Sequence, residues 1–513
     1  MEEKIQDRLI NGETEIQTII NIKNIDNSDD TKSEKTHTPL MIMKQIISFS
    51  LPTIIFFICL TSQATISLIM INAKYKDDEN KVNAMKEGMG FAIFIFNLSM
   101  LSIIVGLLSG FEILGSAAYG AKKYDLIGVY LWKGRIVGFT IATILLSILF
   151  FAFKPLMIAC NSSELEIYYG QRFVNFFIFA ILFDVLFRSN FVYLNIAEKS
   201  FVNSTIVVIN LVIFSGVNYL LIYVYDLDTL GAGLSIFIAQ GLNAIFTTSY
   251  IVYCEPIPNT IFMINRKCFK DLWSYLRISL PSTLLLCAEW WSFELLGFLA
   301  ILSGCYKEHV VVYNIYAILC SFISGFATST TIMCSSAMGE KNHAKAKRLF
   351  KYNYLFTLCF QSFIGALFAI LNKHIVYFFT NEEEQITKIQ KTLYIISLLT
   401  VLDATQYIVN CFAKSCGKFC ITSTICISVL YGIQILCAFV FSYVFKWGLE
   451  GIWLASLISL VILEVCYFII IYCIDFEKAV KEIEFNLDHD KQKLDSLLRE
   501  EEEKIEYNSH LLN

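Results

Sequence analysis

Long apolar runs alternate with short polar connections along most of this 513-residue chain. The twelve runs that can be distinguished lie near Ile46–Ile71, Gly88–Gly110, Leu126–Phe153, Tyr169–Leu194, Phe201–Val224, Leu230–Tyr253, Leu276–Leu302, Val310–Met333, Leu349–Leu371, Ile389–Phe412, Ile421–Phe445 and Gly448–Ile474. Each run supplies the roughly 20 residues that a helix needs to cross the hydrocarbon core of a bilayer. The runs are continuously apolar rather than alternating, which excludes a closed β-barrel. The pattern therefore predicts an all-α polytopic membrane protein.

Polar segments divide the chain into five parts. Residues 1–44 are polar and lack the basic and apolar order of a secretory signal, so we expect them to be disordered. Residues 45–253 and 276–474 each hold six of the apolar runs and form two predicted bundles. A polar linker at 254–275 joins them. Residues 475–513 mix charges with helix-forming residues, which favours an exposed, solvated helix.

The basic residues set the expected orientation, because alternate connections carry most of them. The second, sixth and eighth connections contain Lys122, Lys123, Lys133, Arg135, Arg266, Lys267, Lys270, Arg277, Lys341, Lys345, Lys347, Arg348 and Lys351. The positive-inside rule places these connections in the cytosol, and an even number of spans places both tails there. The Asn161-Ser162-Ser163 sequon then lies in an exoplasmic loop, where glycosylation is topologically allowed.

The second half of the chain repeats features of the first half. Matching positions are Pro52 and Pro281, Gly120 and Gly339, and Gly231 and Gly451, at separations of 229, 219 and 220 residues. Equal helix counts, and glycine-lysine corners on the same side, predict parallel six-helix halves related by an axis along the membrane normal. In transporters built from repeats, the substrate site lies near the midplane between the halves.

Prolines and paired glycines within the runs suggest local helix geometry. Pro52 and Pro281 are expected to kink the first helix of each half. These kinks are either matched functional bends or an ancestral feature without a present role, and both interpretations stay open. The pairs Gly106/Gly110 and Gly134/Gly138 have the GxxxG spacing that allows close helix packing.

The composition of the chain excludes several classes of function. The chain is 56% hydrophobic and only 17% charged, and its net charge of -5 without a basic stripe argues against nucleic-acid binding. The sixteen cysteines show no ligand-like spacing, so we predict no metal site, and we expect no bridge between Cys160 and Cys305. None of the six histidines lies in the middle of a run, so the clustered constellation that a membrane-embedded enzyme needs is not indicated.

An acid inside an apolar run is a candidate functional residue, because placing an ionised group in the bilayer costs free energy. The seventh run places Glu289 and Glu294 among large apolar residues, roughly 140° apart around a helix. Glu289 lies little more than two turns from Pro281, where a bend would open space. A desolvated carboxyl there could bind a proton or, when ionised, a cation, and this competition would couple the two movements. Trp290 and its aromatic neighbours could offer faces for cation–π contact.

Asp403 in the tenth run is the second candidate, with Gln406 and Tyr407 about one turn further on. Its repeat equivalent, Asp184, is followed at i+4 by Arg188, a spacing suited to a neutralising ion pair. We therefore expect Asp184 to be structural and Asp403 to be functional.

Glu112 ends the second run near Gly110 and Gly115. It is expected to be an interfacial structural residue, with a contact to the cleft as the alternative.

Several motifs together resemble the eukaryotic multidrug and toxic compound extrusion (MATE) transporters. The segment CAEWWSFELLGFLAILSG of this chain is similar to the seventh-helix signature of the family. The segment GLLSGFEILGSAAYGAKKYDLIGVYLWKGR is similar to its second-helix motif. LDATQ in the tenth run, the glycine-lysine corner after the eighth and GLEGIWLASLISL in the last run follow in the family's order, so the resemblance covers about Leu40 to Lys478. It implies two bundles that form a V-shaped central cleft. It also implies antiport of organic cations, xenobiotics or secondary metabolites against protons, or against sodium in some members.

The resemblance also implies which residues act in transport. Glu289 and Glu294 match family acids implicated in transport, and Asp403 matches the tenth-helix acid. The chain departs from the family pattern at Ala117, where Gln is usual, and at Lys414, where Arg is usual. The first run contains no acid, which shifts the expected coupling site to the C-terminal half and disfavours sodium.

The predicted function is proton-driven antiport of small organic cations or amphipathic solutes by a monomer in the lipid bilayer. No cofactor beyond the ion gradient is expected. A flippase for lipid-linked or amphipathic substrates and a sodium-coupled antiporter are the alternatives. Plasma, vacuolar and endosomal membranes all fit the predicted orientation equally well.

Overall fold

The computed structural model describes residues 39–262, 264, 266–379 and 383–512, and the regular structure in these residues is helical throughout. The prediction for residues 1–38 therefore lies outside the described residues. The chain divides into two compact units, 1–48 and 49–513. Of the first unit the structure describes the beginning of a helix that starts at Pro39, so residues 39–44 belong to that helix and not to the predicted disordered tail.

Sixteen helices follow one another in the described residues. They are α1 Pro39–Lys74, α2 Glu79–Gly120, α3 Tyr124–Ala159, α4 Glu164–Phe177, α5 Ala180–Ile196, α6 Ser200–Val224, α7 Asp228–Cys254, α8 Arg266–Phe269, α9 Leu272–Leu302, α10 Tyr306–Gly339, α11 His343–Ile370, α12 Asn372–Phe379, α13 Glu383–Ser415, α14 Phe419–Val444, α15 Gly448–Cys473 and α16 Phe476–Leu512.

The number of membrane-spanning helices agrees with the sequence pattern. Within the described residues, eleven helices are long and apolar enough to span a bilayer, and the bent pair α4 and α5 brings the number to twelve. The sequence predicted one continuous helix there, but the two pieces meet at 47°. At the break, Ile181 N–H and Leu182 N–H donate to the carbonyls three residues back, which tightens the helical turn. No proline or glycine marks this break in the sequence.

The two halves share backbone detail at equivalent positions. The chain turns after α2 at Lys122 with φ of 58° and after α10 at Lys341 with φ of 62°. Two π-helical turns, Leu220–Val224 and Val440–Val444, end α6 and α14. The lysines are 219 residues apart and the π-helical turns are 220 apart, which supports the internal repeat that the sequence indicates.

Glycines allow close approach of helices from the two halves. A Cβ added to Gly106 would lie 2.5 Å from Thr283 Cα, and one added to Gly110 would lie 2.7 Å from Ser279 Cβ. This GxxxG pair therefore brings α2 against α9, in agreement with the predicted role in close packing. Gly134 of α3, in the second pair, similarly faces the hydroxyl of Tyr275, at 2.9 Å from an added Cβ.

The C-terminal segment differs from the solvated helix that we predicted. It is helical from Phe476, but Leu487 is 2% exposed and Leu494 is 7% exposed. Both leucines belong to the same apolar core as the N-terminal half. The segment therefore docks on the bundles through a stripe of apolar residues, which its dense charge conceals in the sequence.

Two further predictions concern single residue types. Pro52 lies inside α1 and Pro281 inside α9, as the apolar runs indicated. In the described residues no disulfide links the cysteines, and Cys160 is exposed whereas Cys305 is buried.

Candidate functional site

A buried carboxyl on α9 has its hydrogen-bonding capacity unused. Glu289 is 6% exposed, and neither of its carboxyl oxygens has a hydrogen-bond partner among the described residues. Burying an ionised carboxylate without hydrogen bonds is strongly unfavourable. An ionised Glu289 therefore needs a positive charge beside it, and a proton on the carboxyl removes that need.

The interior of the C-terminal half surrounds Glu289. Within this half α9 packs against α14 and α15, and Glu289 is buried on α9. The carboxyl thus lies among three helices of its own half, while the glycine packing described above holds α9 against α2.

Asp403, on α13, is buried but fully supported by hydrogen bonds. It is 8% exposed, and Tyr316 donates its hydroxyl to Oδ2 at 2.7 Å. Gln406 donates from Nε2 to Oδ1 at 3.1 Å. Because each oxygen of Asp403 accepts a hydrogen bond, its ionised form is stabilised more by the protein than that of Glu289.

One basic side chain reaches this region. Lys414 is 8% exposed, and its Nζ lies 5.7 Å from the centre of the Tyr407 ring. Its charge acts on Glu289 and also on Glu112 of α2. We call Glu112, Glu289, Asp403, Tyr407 and Lys414 the acid cluster. It contains acids from both halves and a single lysine from the last turn of α13.

Aromatic rings adjoin the acid cluster. The Tyr316 ring lies 5.2 Å from Phe293 and 5.6 Å from Trp453, and His309 stacks on Trp453 at 5.5 Å. The indole N–H of Trp453 is buried without a hydrogen-bond partner in the described residues. Through Tyr316, which also binds Asp403, this aromatic wall is continuous with the acid cluster.

Glu294 occupies a different position from Glu289. It accepts a hydrogen bond from Tyr313 of α10 at 2.8 Å and is only partly buried. The separation agrees with the different directions that the five-residue spacing implies. Trp290 is 37% exposed, and none of its described contacts joins it to the acid cluster. Trp291 instead donates its indole N–H to Leu98 of α2 at 2.9 Å.

The structure thus brings Glu289, Asp403, Gln406, Tyr407 and Glu112 into one region. Glu294 instead bonds Tyr313, whose ring stacks on His309 of the aromatic wall at 6.3 Å. In the described residues no contact joins Trp290 to this region. Sequence reasoning missed Tyr316 and Trp453, which lie 87 and 50 residues from Asp403 along the chain. No local pattern connects residues at such distances. Lys414 was visible in the sequence as a departure from the family pattern, but its proximity to two acids was not.

Asp184, the equivalent of Asp403 in the N-terminal half, is neutralised by an ion pair. Asp184 is 3% exposed and forms an ion pair with Arg188, at 2.5 Å from its Nε. This confirms the ion pair that the i+4 spacing predicted. Arg135 lies in the same half, donating to Ser189 at 2.9 Å and to Asn190 at 2.5 Å. Of the repeat-related pair of acids, Asp184 is thus ion-paired, whereas Asp403 is held by hydrogen bonds.

The described residues contain no group of three or more His, Cys, Asp or Glu side chains that could hold a metal ion.

Comparison with known families gives two matches along the chain. The sequence profile of the MatE family matches residues 52–224 and 281–440, which together make up more than half of the chain. The two matched segments fall in the two halves described above.

Individual relatives are distant but extensive. Multidrug and toxin extrusion protein 1 of Danio rerio is 24% identical over 404 residues, covering 77% of this chain and 67% of the relative. Protein DETOXIFICATION 10 of Arabidopsis thaliana is 23% identical over 456 residues, covering 86% of this chain and 90% of the relative.

Solved structures share the fold. The eukaryotic MATE transporter AtDTX14 superimposes with a TM-score of 0.81 at 19% identity, covering 87% of this chain and 99% of that one. A MOP superfamily transporter from Pyrococcus furiosus gives a TM-score of 0.75 at 16% identity, covering 86% and 97% of the two chains. The architecture is therefore that of two six-helix bundles.

Proposed function

The chain belongs to the MatE family, as a multi-pass membrane transporter and not an enzyme, and we propose that it exchanges small organic cations or other amphipathic solutes for protons. The observation that carries this proposal is the unpartnered carboxyl of Glu289. A buried acid without hydrogen bonds is most stable when a proton or a cation neutralises it. Since one carboxyl cannot hold both, occupancy by one excludes the other.

Exchange follows from this exclusion. When a proton neutralises Glu289, the site has no charge with which to hold an organic cation, and the cation leaves. When the proton leaves, the carboxylate attracts the next cation. Transport of one species is therefore coupled to movement of the other through a single group.

The surroundings of Glu289 favour organic cations as the substrate class. Phe293, Tyr316 and Trp453 present aromatic rings next to the acid cluster. Ring faces attract desolvated cations by cation–π interaction and also accept the apolar parts of amphipathic solutes.

The acid cluster supports a proton as the coupling ion better than sodium. A sodium ion needs several oxygen ligands in a fixed arrangement. Both oxygens of Asp403 already accept hydrogen bonds from Tyr316 and Gln406. The amide oxygen of Gln406, which has no hydrogen-bond partner in the described residues, is a neutral ligand and adds no charge to balance the ion.

The proposal includes the orientation of the protein in the membrane. The lysine-rich corners after α2 and α10 lie at one face of the bundles, which we call the basic face. By the positive-inside rule the basic face and both chain tails are cytosolic, in a plasma, vacuolar or endosomal membrane. Protons entering from the opposite side would then drive export from the cytosol.

Proteoliposomes with an imposed pH gradient test the proposal. Uptake of a fluorescent organic cation is measured for the wild type, for Glu289→Gln and for Glu464→Gln. Glu464 is a matched control, because it is also an acid within a span but accepts a hydrogen bond from Tyr354 at 2.9 Å, outside the acid cluster. We expect gradient-driven transport in the wild type and Glu464→Gln, and none in folded Glu289→Gln. If a sodium gradient but not a proton gradient drives the wild type, the assigned coupling ion is wrong.

A further inference from the structure

Two repeat-related glycines bring the two halves together at the basic face. A Cβ added to Gly120 would lie 1.9 Å from the carbonyl oxygen of Ser336, and one added to Gly339 would lie 2.0 Å from that of Ala117. Real Cβ atoms do not approach other atoms this closely, so only glycine fits at both positions. The end of α2 and the end of α10 thus touch backbone to backbone, and we call these four residues the glycine contact.

The helix α16 lies across the glycine contact and is held by both halves. Lys123 follows α2 and lies 2.5 Å from Asp488, whereas Lys341 follows α10 and lies 2.6 Å from Glu484. The two acids are four residues apart and therefore face the same way on α16. One corner of each half is consequently bound to one face of a single helix.

Further contacts fix α16 to the N-terminal half and to the linker between the halves. Asp490 accepts a hydrogen bond from Tyr130 of α3 at 2.6 Å, and Lys491 lies 2.6 Å from Asp125 at the start of α3. Lys493 lies 2.7 Å from Asp271, which precedes α9. The polar contacts thus continue over nearly three turns of α16.

The beginning of α16 is fixed to the C-terminal half instead. The Phe476 ring lies 6.0 Å from Phe412 of α13, and the Nζ of Lys347 of α11 lies 3.8 Å from the centre of the same ring. Together with the ion pairs, this contact means that α16 is anchored at one end to one half and along its middle to the other.

We propose that α16 is a strap that locks the glycine contact closed, so that the basic face opens only when α16 detaches. The inference rests on the proposed function, because alternating access requires the halves to separate at one face and then at the other. Separation at the basic face pulls Lys123 away from Lys341. A helix paired with both lysines resists this movement as long as its own contacts hold.

The experiment reverses the two charges of α16 that pair with the corners. Glu484→Lys together with Asp488→Lys is compared with Glu477→Lys together with Glu482→Lys, which makes the same charge change at exposed positions without described contacts. Backbone hydrogen exchange in the full-length protein is followed at residues 117–123, residues 336–342 and residues 480–498. Restoring the pairs with Lys123→Glu and Lys341→Glu in the reversed variant provides the rescue.

If α16 is a strap, the reversed variant exchanges about fivefold faster in all three segments, the control variant is unchanged, and the rescue restores protection. Faster exchange in α16 alone, with both corners as protected as in the wild type, would overturn the strap. So would full protection of α16 in the reversed variant. Hydrogen exchange needs no substrate, so it reports on the strap even if the wild type transports no cation, which would instead refute the proposed function.

Discussion

At the scale of single residues, three buried acids are stabilised in three different ways. Asp184 forms an ion pair with Arg188, Asp403 accepts hydrogen bonds from Tyr316 and Gln406, and Glu289 has no hydrogen-bond partner in the described residues. An ion pair of this kind is neutral as a unit, so it contributes structure and not exchange. Glu289, which lacks a hydrogen-bond partner in the part of the chain that the structure describes, is the acid at which we propose that a proton and a cation compete.

The hydrogen bond from Tyr316 is expected to keep Asp403 functional. In Tyr316→Phe, Asp403 loses a hydrogen bond worth about 1.5–3 kcal/mol, and we expect cation transport in proteoliposomes to fall by roughly tenfold or more. Tyr354→Phe is the matched control, because the hydroxyl that it removes binds Glu464, outside the acid cluster. Equal transport by the two variants would contradict the role assigned to Tyr316.

The ion pair of Asp184 is expected to be structural. Asp184→Asn leaves the largely buried Arg188 without its counter-charge, which should lower the free energy of unfolding by about 3–5 kcal/mol. Thermal unfolding in detergent measures the loss. Adding Arg188→Gln to Asp184→Asn should recover part of it, and a double variant no more stable than the single one would argue against the pairing.

The sequence could predict the candidate acids but not their partners. Acids inside apolar runs are conspicuous, so Glu289 and Asp403 could be identified without a structure. The i+4 spacing likewise identified the partner of Asp184, because a helix brings such residues together. The contact between Asp403 and Tyr316 joins α13 to α10, and only the packing of the two helices produces it.

At the scale of helices, glycine determines where α2 meets the other half. Along one face of α2, Gly106 and Gly110 pack against α9, and Gly120 packs against α10. Van der Waals packing at such short separation is the main attraction between helices in a bilayer, where apolar side chains gain nothing by leaving lipid. The position of Glu289 on α9 therefore depends on small residues of α2.

A methyl group at this interface should separate α2 from α9. In Gly106→Ala the added carbon would lie 2.5 Å from Thr283 Cα, and we expect a loss of about 1–3 kcal/mol in the free energy of unfolding. Gly90→Ala on the same helix is the control, because nothing lies within 4 Å of its added Cβ. Thermal unfolding should show Gly90→Ala unchanged or slightly stabilised, and a similar loss in both variants would contradict the packing argument.

The docking of α16 is expected to respond to salt and not to physiological pH. The hydrogen bond from Lys493 lowers the pKa of Asp271 below its ordinary value of 3.8, so that pair is intact above this value and is lost as pH falls through the lowered pKa. The hydrogen bond to Glu484 raises the pKa of Lys341 above 10.5, so that pair is intact below this value and is lost as pH rises through the raised pKa.

Between these limits Asp271 and Lys341 keep the charges on which their contacts with α16 depend, and screening by salt weakens both contacts. Hydrogen exchange of α16 at pH 6 and at pH 8, corrected for the intrinsic rate, should therefore show about equal protection, whereas about 1 M salt should reduce it. Protection that changes between the two pH values would indicate another titrating group in the contact.

Helix positions could be predicted from the sequence better than helix interruptions and docking. A membrane span must be long and apolar, so composition reveals it. The break between α4 and α5 has no proline or glycine to mark it, and it depends on how the two pieces pack. The charges of α16 resemble those of a solvated helix because their partners, such as Lys123 and Asp271, lie hundreds of residues away.

At the scale of the whole molecule, a repeated backbone carries unequal chemistry. The glycine contact, the lysine corners and the π-helical turns recur at nearly constant separation in both halves. The buried acids do not follow this symmetry, because the N-terminal half pairs Asp184 with Arg188, and the C-terminal half keeps Glu289 without a hydrogen bond. The shared backbone suits a movement made by both halves, and the proposed function places proton exchange at Glu289, in one of them.

The central claim is that a proton and an organic cation compete for Glu289. The most direct test adds an organic cation to the purified protein in weakly buffered detergent solution and records proton release with a pH indicator, with cation binding measured in parallel. We expect the wild type to release a proton for each cation bound, and Glu289→Gln to release none. Cation binding by the wild type without proton release, or undiminished release by Glu289→Gln, would contradict the claim.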